Sequence, residues 1–341
     1  MKARFRIAAT GTPVENSLKD IWSIFDFIQP GLLDPLNSFA KLYQRPIEAK
    51  TACQREKLDE LRDILKPQIL RRVKTEILHD LPSKTLDGRC RTLAMSDEQL
   101  RLYQQAVTST KSMSFETSSE RSMATIQTLQ YLRRICCDPR EPGEYASASM
   151  PFEDYRQIAP KFDWLVSTLE AIRKRDEKVI VFLESRDIQR QIKLYLDAHF
   201  RLNISIVNGE TSNALGSEVN RQGLIDIYQA TQGFNVVILS PLAAGVGLNI
   251  QEANHVVHYM RHWNPAREDQ ATDRAYRIGQ ERDVTVYVPI VCGGPDWSSF
   301  DQVLDELLEY KRVLAQDMYN GSEDVVPADL AGVLDVFEAS L

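Results

Sequence analysis

Two arginines three positions apart are the residues of this chain whose types and spacing point most clearly to chemistry. Arg274 and Arg277 lie in the segment DQATDRAYRIGQ, residues 269–280. Residues three apart on one helical turn share a face, so two guanidinium groups converge there. Such a pair suits a polyphosphate, whose negative charge it can stabilise while a phosphoryl group is transferred. The alternative is a solvated salt-bridge face with the neighbouring acids, Asp269, Asp273 and Glu281.

A second segment with phosphate-binding features precedes this pair. SPLAAGVGLN, residues 240–249, directly follows an apolar run that predicts a strand. Gly245 and Gly247 permit a close approach of the backbone to a ligand, and Ser240 offers a hydroxyl and an amide to a phosphate. Taken alone, the segment also fits a dinucleotide-binding turn, although the third glycine of that fingerprint is absent. Beside such a segment, a binding role for the arginine pair is favoured over a solvated face.

The elements around these segments follow an alternating pattern from residue 161 onward. Apolar runs separated by helical periodicity predict a parallel sheet covered on both faces, which is a doubly wound α/β domain. Ligands of such domains bind beyond the carboxyl ends of the strands. Strands are predicted at 179–183, 204–207, 236–239, 255–259 and 284–290.

The remaining elements are predicted less uniformly. Phe5–Ala9 predicts a buried strand, and 17–28 predicts a broad apolar helix that Pro30 and Gly31 end. The stretch 108–123, rich in Ser and Thr, predicts a mobile loop. Ser299 is predicted to begin an amphipathic C-terminal helix, with Gln302 completing a capping box. Because domains rarely begin on a core strand, the opening residues suggest the end of a preceding lobe.

The composition is that of a soluble globular protein. The chain has 341 residues, a formal charge of −7 and 43% hydrophobic residues, which excludes disordered and coiled-coil classes. No apolar run approaches the roughly 18 residues that span a bilayer, and no signal peptide is predicted, so a cytoplasmic protein without a membrane partner is expected. The 5 cysteines include no C-x-x-C pair, which predicts reduced thiols. No metal site is predicted, because His255 and His258, three apart on a strand, point to opposite faces.

At this point five stretches, in order, resemble the motifs of SWI/SNF-family DNA-dependent ATPases within helicase superfamily two. TGTPVENSLKDIWSIFDFIQPGLL is similar to motif III and its following helix. ILRRVKTEILHDLPSK, residues 69–84, is similar to the family's LRR-x-K…LP-x-K block. VIVFLESRD, SPLAAGVGLNIQEANHVVHYMRHWNP and DQATDRAYRIGQ resemble motifs IV, V and VI. The resemblance implies the C-terminal portion of such a protein, from motif III onward. It predicts a RecA-like doubly wound parallel sheet with helical insertions and a C-terminal helix.

The resemblance also implies domain bounds and residue roles. Residues 1–85 would be the end of the first RecA-like lobe with a helical protrusion, 86–297 the second lobe, and 298–341 a C-terminal brace-like helix and tail. Arg274 and Arg277 would be catalytic arginine fingers that reach the nucleotide. The expected nucleotide-site residues are Gln270, Gly245, Gly247 and Asn249. The expected DNA-contacting residues are Ser240, Asn208 and Gly209, joined by Arg71, Arg72 and Lys74 of a basic block. Motif III would couple the two sites through Thr10, Gly11 and Thr12.

Departures from the family's pattern limit what this chain can do alone. The sequence contains no G-x-x-x-x-G-K-[ST] segment and no acidic box of the DEAH type. The resemblance therefore implies ATP and Mg²⁺ as cofactors, with the Mg²⁺ held by the first lobe. Double-stranded DNA and that first lobe are the expected partners, and the chain alone is expected to be inactive. In motif IV, Leu183, Glu184 and Ser185 replace the family's usual Ser-Gln-aromatic triplet, and Tyr276 replaces a frequent histidine.

Three other functions stay open at this stage. The chain could be a stand-alone DNA-binding or partner-binding module from a split or degenerate motor. It could be a Rossmann-type oxidoreductase, on the strength of residues 244–249, or an RNA helicase of the same superfamily. The location is expected to be the nucleoid in a bacterium or the nucleus in a eukaryote.

Overall fold

The computed structural model describes residues 3–10, 18–48, 54–70, 81–114, 117–140, 150–211, 220–244, 247–315 and 330. The described residues fall into two compact units. The first lies within 1–79, 264–266 and 308–324, and the second lies within 80–263, 267–307 and 325–341. None of the described helices is long and apolar enough to cross a membrane.

The first unit is helical. Its helices are α1 (Leu18–Ile28), α2 (Leu36–Phe39), α3 (Arg45–Glu48) and α4 (Gln54–Leu65), with a π-helical turn between α2 and α3. Apolar residues at helical spacing give α1 a buried face, on which Ile21 and Phe25 pack with Phe39 and Leu61. The helix predicted at 17–28 is confirmed over Leu18–Ile28.

The strand predicted at Phe5–Ala9 is wrong. Residues 3–10 form no regular element, and the side chains of Phe5 and Ile7 are exposed. A β-strand needs at least one neighbouring strand to pair its backbone groups, and no strand of the described part of the chain pairs with this segment. Its apolar pattern alone therefore does not make it a strand here.

A parallel six-stranded sheet forms the centre of the second unit. The strands in chain order are β1 (Lys84–Asp87), β2 (Leu93–Ala94), β3 (Lys178–Phe182), β4 (Ser205–Val207), β5 (Asn235–Leu239), β6 (Ala253–His258), β7 (Val284–Tyr287) and β8 (Val291–Cys292). The large sheet has the order β1-β7-β6-β3-β5-β4, and β2 pairs with β8 separately. The five strands predicted from the sequence are confirmed with small shifts of their ends.

Helices lie on both faces of this sheet. The helices after residue 80 are α5 (Asp97–Ser112), α6 (Ser118–Cys137), α7 (Phe152–Ile158), α8 (Pro160–Arg173), α9 (Arg186–Phe200), α10 (Arg221–Ala230), α11 (Pro241–Ala244), α12 (Pro265–Thr272) and α13 (Phe300–Ala315). Helices α8 and α9 pack in one apolar cluster and α10 packs in another, so β3 and β5 contribute side chains to both clusters. The predicted doubly wound α/β fold is confirmed. In such folds ligands bind at the carboxyl ends of the parallel strands, near the point where the strand order reverses, and here that point is beside β3.

The loop predicted at 108–123 is wrong at both of its ends. Helix α5 continues to Ser112 and α6 begins at Ser118. The Ser and Thr residues here serve the helices, because the Thr117 side chain caps α6 by accepting from Glu120 N at 3.2 Å. Thr110 and Thr128 bridge the two helices through hydroxyls 2.6 Å apart.

The predicted capping box of the C-terminal helix is confirmed. Ser299 N donates to Gln302 Oε1 at 2.9 Å, and Gln302 N donates to Ser299 Oγ at 3.2 Å. The Ser299 hydroxyl also donates to the carbonyl of Val291, which ties the start of α13 to β8.

Candidate functional site

An open cleft of about 400 Å³ lies at the carboxyl edge of the sheet. The strands β3, β4 and β5 end there, and the residues that follow each strand line the cleft. The lining residues are Glu184, Arg186, Asn208, Gly209, Arg221, Ser240, Leu242 and Ala243. Three residues predicted to contact DNA, namely Ser240, Asn208 and Gly209, are therefore brought together, although they come from two different strand ends.

Hydrogen bonds fix the strand ends that form the floor of the cleft. Asn208 Nδ2 donates to Gln189 Oε1 at 2.8 Å, and Asn208 Oδ1 accepts from Glu210 N at 2.9 Å. Ser240 N donates to Val207 O at 2.9 Å. The Ser240 hydroxyl has no hydrogen-bond partner among the described residues, and Ser240 is only 9% exposed. The backbone of Ser240 is therefore fixed, and its hydroxyl is available to donate a hydrogen bond in the cleft.

Two arginines on the rim of the cleft were not predicted from the sequence. Arg186 opens α9 and Arg221 opens α10, so both lie at the amino ends of helices, where anions are favoured. Arg221 Nε donates to Thr211 O at 3.1 Å, and Arg186 pairs with Glu210 at 3.0 Å. An arginine placed soon after an apolar strand was the available signal for Arg186. Arg221 had no such signal, because the preceding strand, β4, is short and ends at Val207, well before Arg221.

The cleft also contains one carboxylate, Glu184, which follows β3. Arg133 of α6 approaches its Oε2 at 2.8 Å, and His262 approaches its Oε1 at 3.3 Å. Arg133 is buried and stacks 4.7 Å from the ring centroid of Trp263. Burial lowers the pKa of His262, so its ring favours the neutral form and Arg133 is the permanent counter-charge of Glu184. While this ion pair is formed, the positive charge of Arg133 is balanced by Glu184.

The arginine pair lies on a turn directly after α12. Ala275 and Tyr276 anchor this turn in the apolar cluster on one face of the sheet, which leaves Arg274 and Arg277 half-buried. Burial, and then repulsion from Arg277, lowers the pKa of Arg274, whereas Asp273 opposes the shift. An anion beside Arg274 and Arg277 would offset both effects.

Backbone and amide contacts join this turn to the segment that follows β5. Ile250 N donates to Arg274 O at 3.0 Å, and Gln280 Nε2 donates to Gln251 O at 2.9 Å. Gly279 has φ +93°, a backbone conformation that residues with a Cβ rarely adopt, so the turn favours glycine there. The arginine turn and residues 247–251 thus form one fixed substructure.

The predicted nucleotide residues lie in or near this substructure. Gly247 has φ +65°, and no atom of the described residues, its own and those of its chain neighbours aside, lies within 4 Å of a Cβ built on it. Asn249 Oδ1 is buried without a hydrogen-bond partner among the described residues. Gln270 lies on α12, four residues before Arg274, and Gly245 lies outside the described residues.

The structure does not test the roles predicted for six further residues. Thr10 belongs to the first unit and is exposed. Gly11 and Thr12 of motif III, and the basic residues Arg71, Arg72 and Lys74, lie outside the described residues. Their roles remain predictions.

The two strand histidines point to opposite faces, as predicted. His255 lies 3.1 Å from Tyr287 Oη and 2.7 Å from Glu177 on one face. His258 contacts Thr272 Oγ1 at 2.8 Å and stacks on Phe182 on the other. Within the described ranges, no group of three or more His, Cys, Asp or Glu side chains could hold a metal ion.

The fold and the two phosphate-suited segments define a RecA-like ATPase lobe, and comparison with known proteins gives the family. The SNF2-related domain matches residues 1–141, and the helicase conserved C-terminal domain matches residues 160–279. The Sulfolobus solfataricus SWI2/SNF2 ATPase core in complex with dsDNA is 29% identical with a TM-score of 0.54, over 98% of this chain and 64% of that chain. The chain belongs to the SWI/SNF family of helicase superfamily two.

Curated relatives support the same family. The Zorya protein ZorD of Escherichia coli is 43% identical over 98% of this chain and 30% of its own length. The putative ATP-dependent helicase/translocase YwqA of Bacillus subtilis is 35% identical over 92% of this chain and 32% of its own length. The chain thus spans about a third of the length of these relatives.

Proposed function

We propose that this chain forms the C-terminal part of an ATP-dependent double-stranded-DNA translocase, in which Arg274 and Arg277 act on the nucleotide and the carboxyl-edge cleft holds the DNA backbone. One observation supports the assignment most strongly. Ile250 N donates to Arg274 O at 3.0 Å, so the turn that carries both arginines is held beside residues 247–251, and burial and then the charge of Arg277 lower the pKa of Arg274. Like charges held together are stabilised by an anion placed between them.

The residues around the arginine turn fit ATP. The two guanidinium groups match the charge of a triphosphate, and the buried Asn249 Oδ1 can accept a hydrogen bond from a hydroxyl or amino group of the nucleotide. Gly247 leaves space for a ligand near the backbone. When bound, ATP with Mg²⁺ supplies the phosphoryl group for hydrolysis. Arg274 and Arg277 would stabilise the charge that grows on that group, and Gln270 would link this turn to α12.

The carboxyl-edge cleft fits a phosphate of a duplex backbone. Ser240 presents an unpartnered hydroxyl, Asn208 and Gly209 form the neighbouring wall, and Arg186 and Arg221 supply positive charge. Phosphate contacts of this kind position a nucleic acid without reading its sequence. A solved relative is described as an SWI2/SNF2 core in complex with dsDNA, and YwqA is named a helicase/translocase. The first description favours duplex DNA as the partner of this cleft, at the nucleoid or in the nucleus, and the second favours an ATP-dependent motor.

A first RecA-like lobe is the remaining requirement. The sequence contains no G-x-x-x-x-G-K-[ST] segment, so the groups that hold the β- and γ-phosphates and Mg²⁺ would come from that lobe. The chain alone would then bind DNA weakly and hydrolyse no ATP. Together with the lobe, it would complete the site with its two arginines.

The test is ATP hydrolysis by the chain alone, with duplex DNA, and with a separately expressed first lobe from the same protein. We expect turnover only in the complete mixture, stimulated by DNA. Arg277→Ala or Arg274→Ala is expected to lower kcat by about 10³-fold or more, the loss typical of an arginine finger. Arg282→Ala, an exposed arginine five positions further on, is the matched control and should retain turnover.

Two other outcomes would contradict this proposal. Turnover by the chain alone would mean that the nucleotide site has been placed wrongly. Salt-dependent DNA binding in the complete mixture, with no response to ATP, would instead indicate a DNA-binding module from a degenerate motor.

A further inference from the structure

A buried ion network connects the C-terminal helix to the helix that carries Gln270. Arg261, which follows β6, has a fully buried side chain that donates to Glu268 from Nε at 3.0 Å and from Nη2 at 2.7 Å. Its Nη1 donates to Asp305 of α13. Asp305 also accepts from Arg91, which precedes β2. Four charged residues from four separate segments therefore form one chain of ion pairs.

Helix α12 depends on polar contacts for its position. It has only 8 residues, and its buried side chains in the second unit are Glu268, Ala271 and Thr272. One methyl-sized apolar side chain cannot fix the rotation of a helix by packing. Contacts that can do so include the Arg261–Glu268 pair, the bond from His262 N to Glu268 Oε1 at 2.9 Å, and the His258–Thr272 contact at 2.8 Å.

The position of α12 determines where the arginine turn lies. The turn begins directly after Thr272, and Arg274 N donates back to Ala271 O at 3.1 Å. A rotation of α12 would therefore displace Arg274 relative to residues 247–251. The network controls the geometry of the arginine pair without touching it.

Stability alone does not account for such a network. A buried ion pair contributes little more than well-packed apolar side chains, while loss of one partner leaves an uncompensated charge. Apolar side chains in place of Arg261 and its partners would bury surface area, but their contacts would not fix one orientation of α12. Charged side chains with several fixed partners supply direction, which a short polar helix needs.

We propose that Asp305 is a positioning residue that acts through Arg261 and Glu268 to orient α12 and the arginine turn. The C-terminal helix α13 is the source of this constraint, because Phe300, Leu304 and Leu308 anchor it by burial. Displacement of α13 would then loosen the arginine turn. Only the kinetic arm of the following test depends on the function proposed above.

The first measurement is amide hydrogen exchange on the chain as it is, without nucleotide or DNA. Asp305→Asn keeps the size of the side chain and removes its charge. We expect exchange in 265–280 to become about tenfold faster, as befits the loss of a charge-assisted bond in a buried network. Exchange in β3 and β5 should stay unchanged. Glu306→Gln, the exposed neighbour on the same helix, is the matched control.

The second measurement is kinetic and uses the chain mixed with its first lobe. Asp305→Asn is expected to lower kcat by about tenfold, with the KM for ATP and the Kd for duplex DNA within twofold of the parent values, since a slightly displaced arginine loses most where the phosphoryl charge is greatest, in the transition state. Asp305→Glu, which keeps the carboxylate, should recover part of kcat. Absence of any turnover by the unsubstituted mixture would count against the proposed function and would leave the exchange result to decide this inference.

Two exchange results would overturn the inference. Unchanged exchange in 265–280 would show that Asp305 does not constrain α12. Equally faster exchange in β3, β5 and 265–280 would show that Asp305 stabilises the whole unit rather than positioning one helix.

Discussion

At the scale of single residues, an acid inside a cleft that fits phosphate requires an explanation. Glu184 would repel a phosphate if its charge were not compensated, and Arg133 compensates it at 2.8 Å. The Nε of Arg133 has no hydrogen-bond partner among the described residues, so this buried guanidinium is held chiefly by Glu184, the carbonyl of Arg261 and the ring of Trp263. Arg133 therefore neutralises the charge of Glu184, and we do not expect it to contact a phosphate directly.

This arrangement predicts that a second substitution restores the duplex affinity that the first one lowers. Arg133→Met keeps apolar volume but leaves Glu184 uncompensated, so duplex affinity is expected to fall by about tenfold, the order of magnitude for one like charge at short range. Glu184→Gln added to Arg133→Met should recover most of that loss. The measurement is fluorescence anisotropy with a labelled duplex at fixed salt. If affinity stays low in the double variant, Glu184 is not the source of the repulsion.

At the scale of elements, the sequence predicted the strands best and the polar contacts least. β3 and β5 are buried throughout, so their apolar runs were visible without any partner. β1 was missed, because Lys84, Thr85 and Leu86 are exposed on a strand at the sheet edge. The helices at 108–123 were missed because Ser and Thr favour loops in isolation and cap helices in context.

The candidate site divides in the same way. Residues that directly follow apolar strands, such as Ser240 and Asn208, were found from local pattern. Arg261 was not, because its partner Asp305 lies 44 positions away and only the fold brings them together. Buried charges with distant partners leave no local signal in a sequence.

Contacts between strands also predict how stability depends on pH. Burial opposes the charge of Glu177, but hydrogen bonds from His255, Arg175 and Asn254 outweigh it and lower its pKa to about 2 from 4.5. A carboxyl whose pKa is lower in the folded state stabilises the fold above pH 4.5, and this contribution is lost as pH falls toward 2. Burial, the largest influence on His255, lowers its pKa, so folding also opposes its protonation below pH 6.5.

Glu177→Gln is therefore expected to flatten the acid side of the stability profile. The variant should melt below the parent chain at pH 7, where Glu177 is charged in both states. The gap should narrow between pH 5 and pH 3, as the parent loses the Glu177 contribution. Thermal unfolding followed by circular dichroism at several pH values measures this, with Glu306→Gln as an exposed control. A gap of constant size would show that the charge of Glu177 is not what stabilises these strands.

At the scale of the whole molecule, a short stretch of chain links the two candidate sites. Ser240 lines the cleft, α11 follows it, and residues 247–250 reach the arginine turn through the Ile250–Arg274 bond. The net charge of −7 does not favour DNA binding in general, so the proposed affinity would depend on the local cleft. A ligand at either proposed site would therefore act on a stretch of backbone that the two sites share.

This connection predicts reciprocal coupling between nucleotide and DNA. In the chain mixed with its first lobe, a non-hydrolysable ATP analogue should raise duplex affinity by some factor, roughly five- to 150-fold, and duplex should raise analogue affinity by the same factor. Arg277→Ala should bring that factor close to one without changing duplex affinity in the absence of nucleotide. Arg186→Ala should lower duplex affinity equally with and without the analogue, because it removes a contact in the cleft and leaves the connection intact. Equal loss of coupling in both variants would mean that cleft and arginine turn form one binding site, rather than two sites joined by residues 240–250.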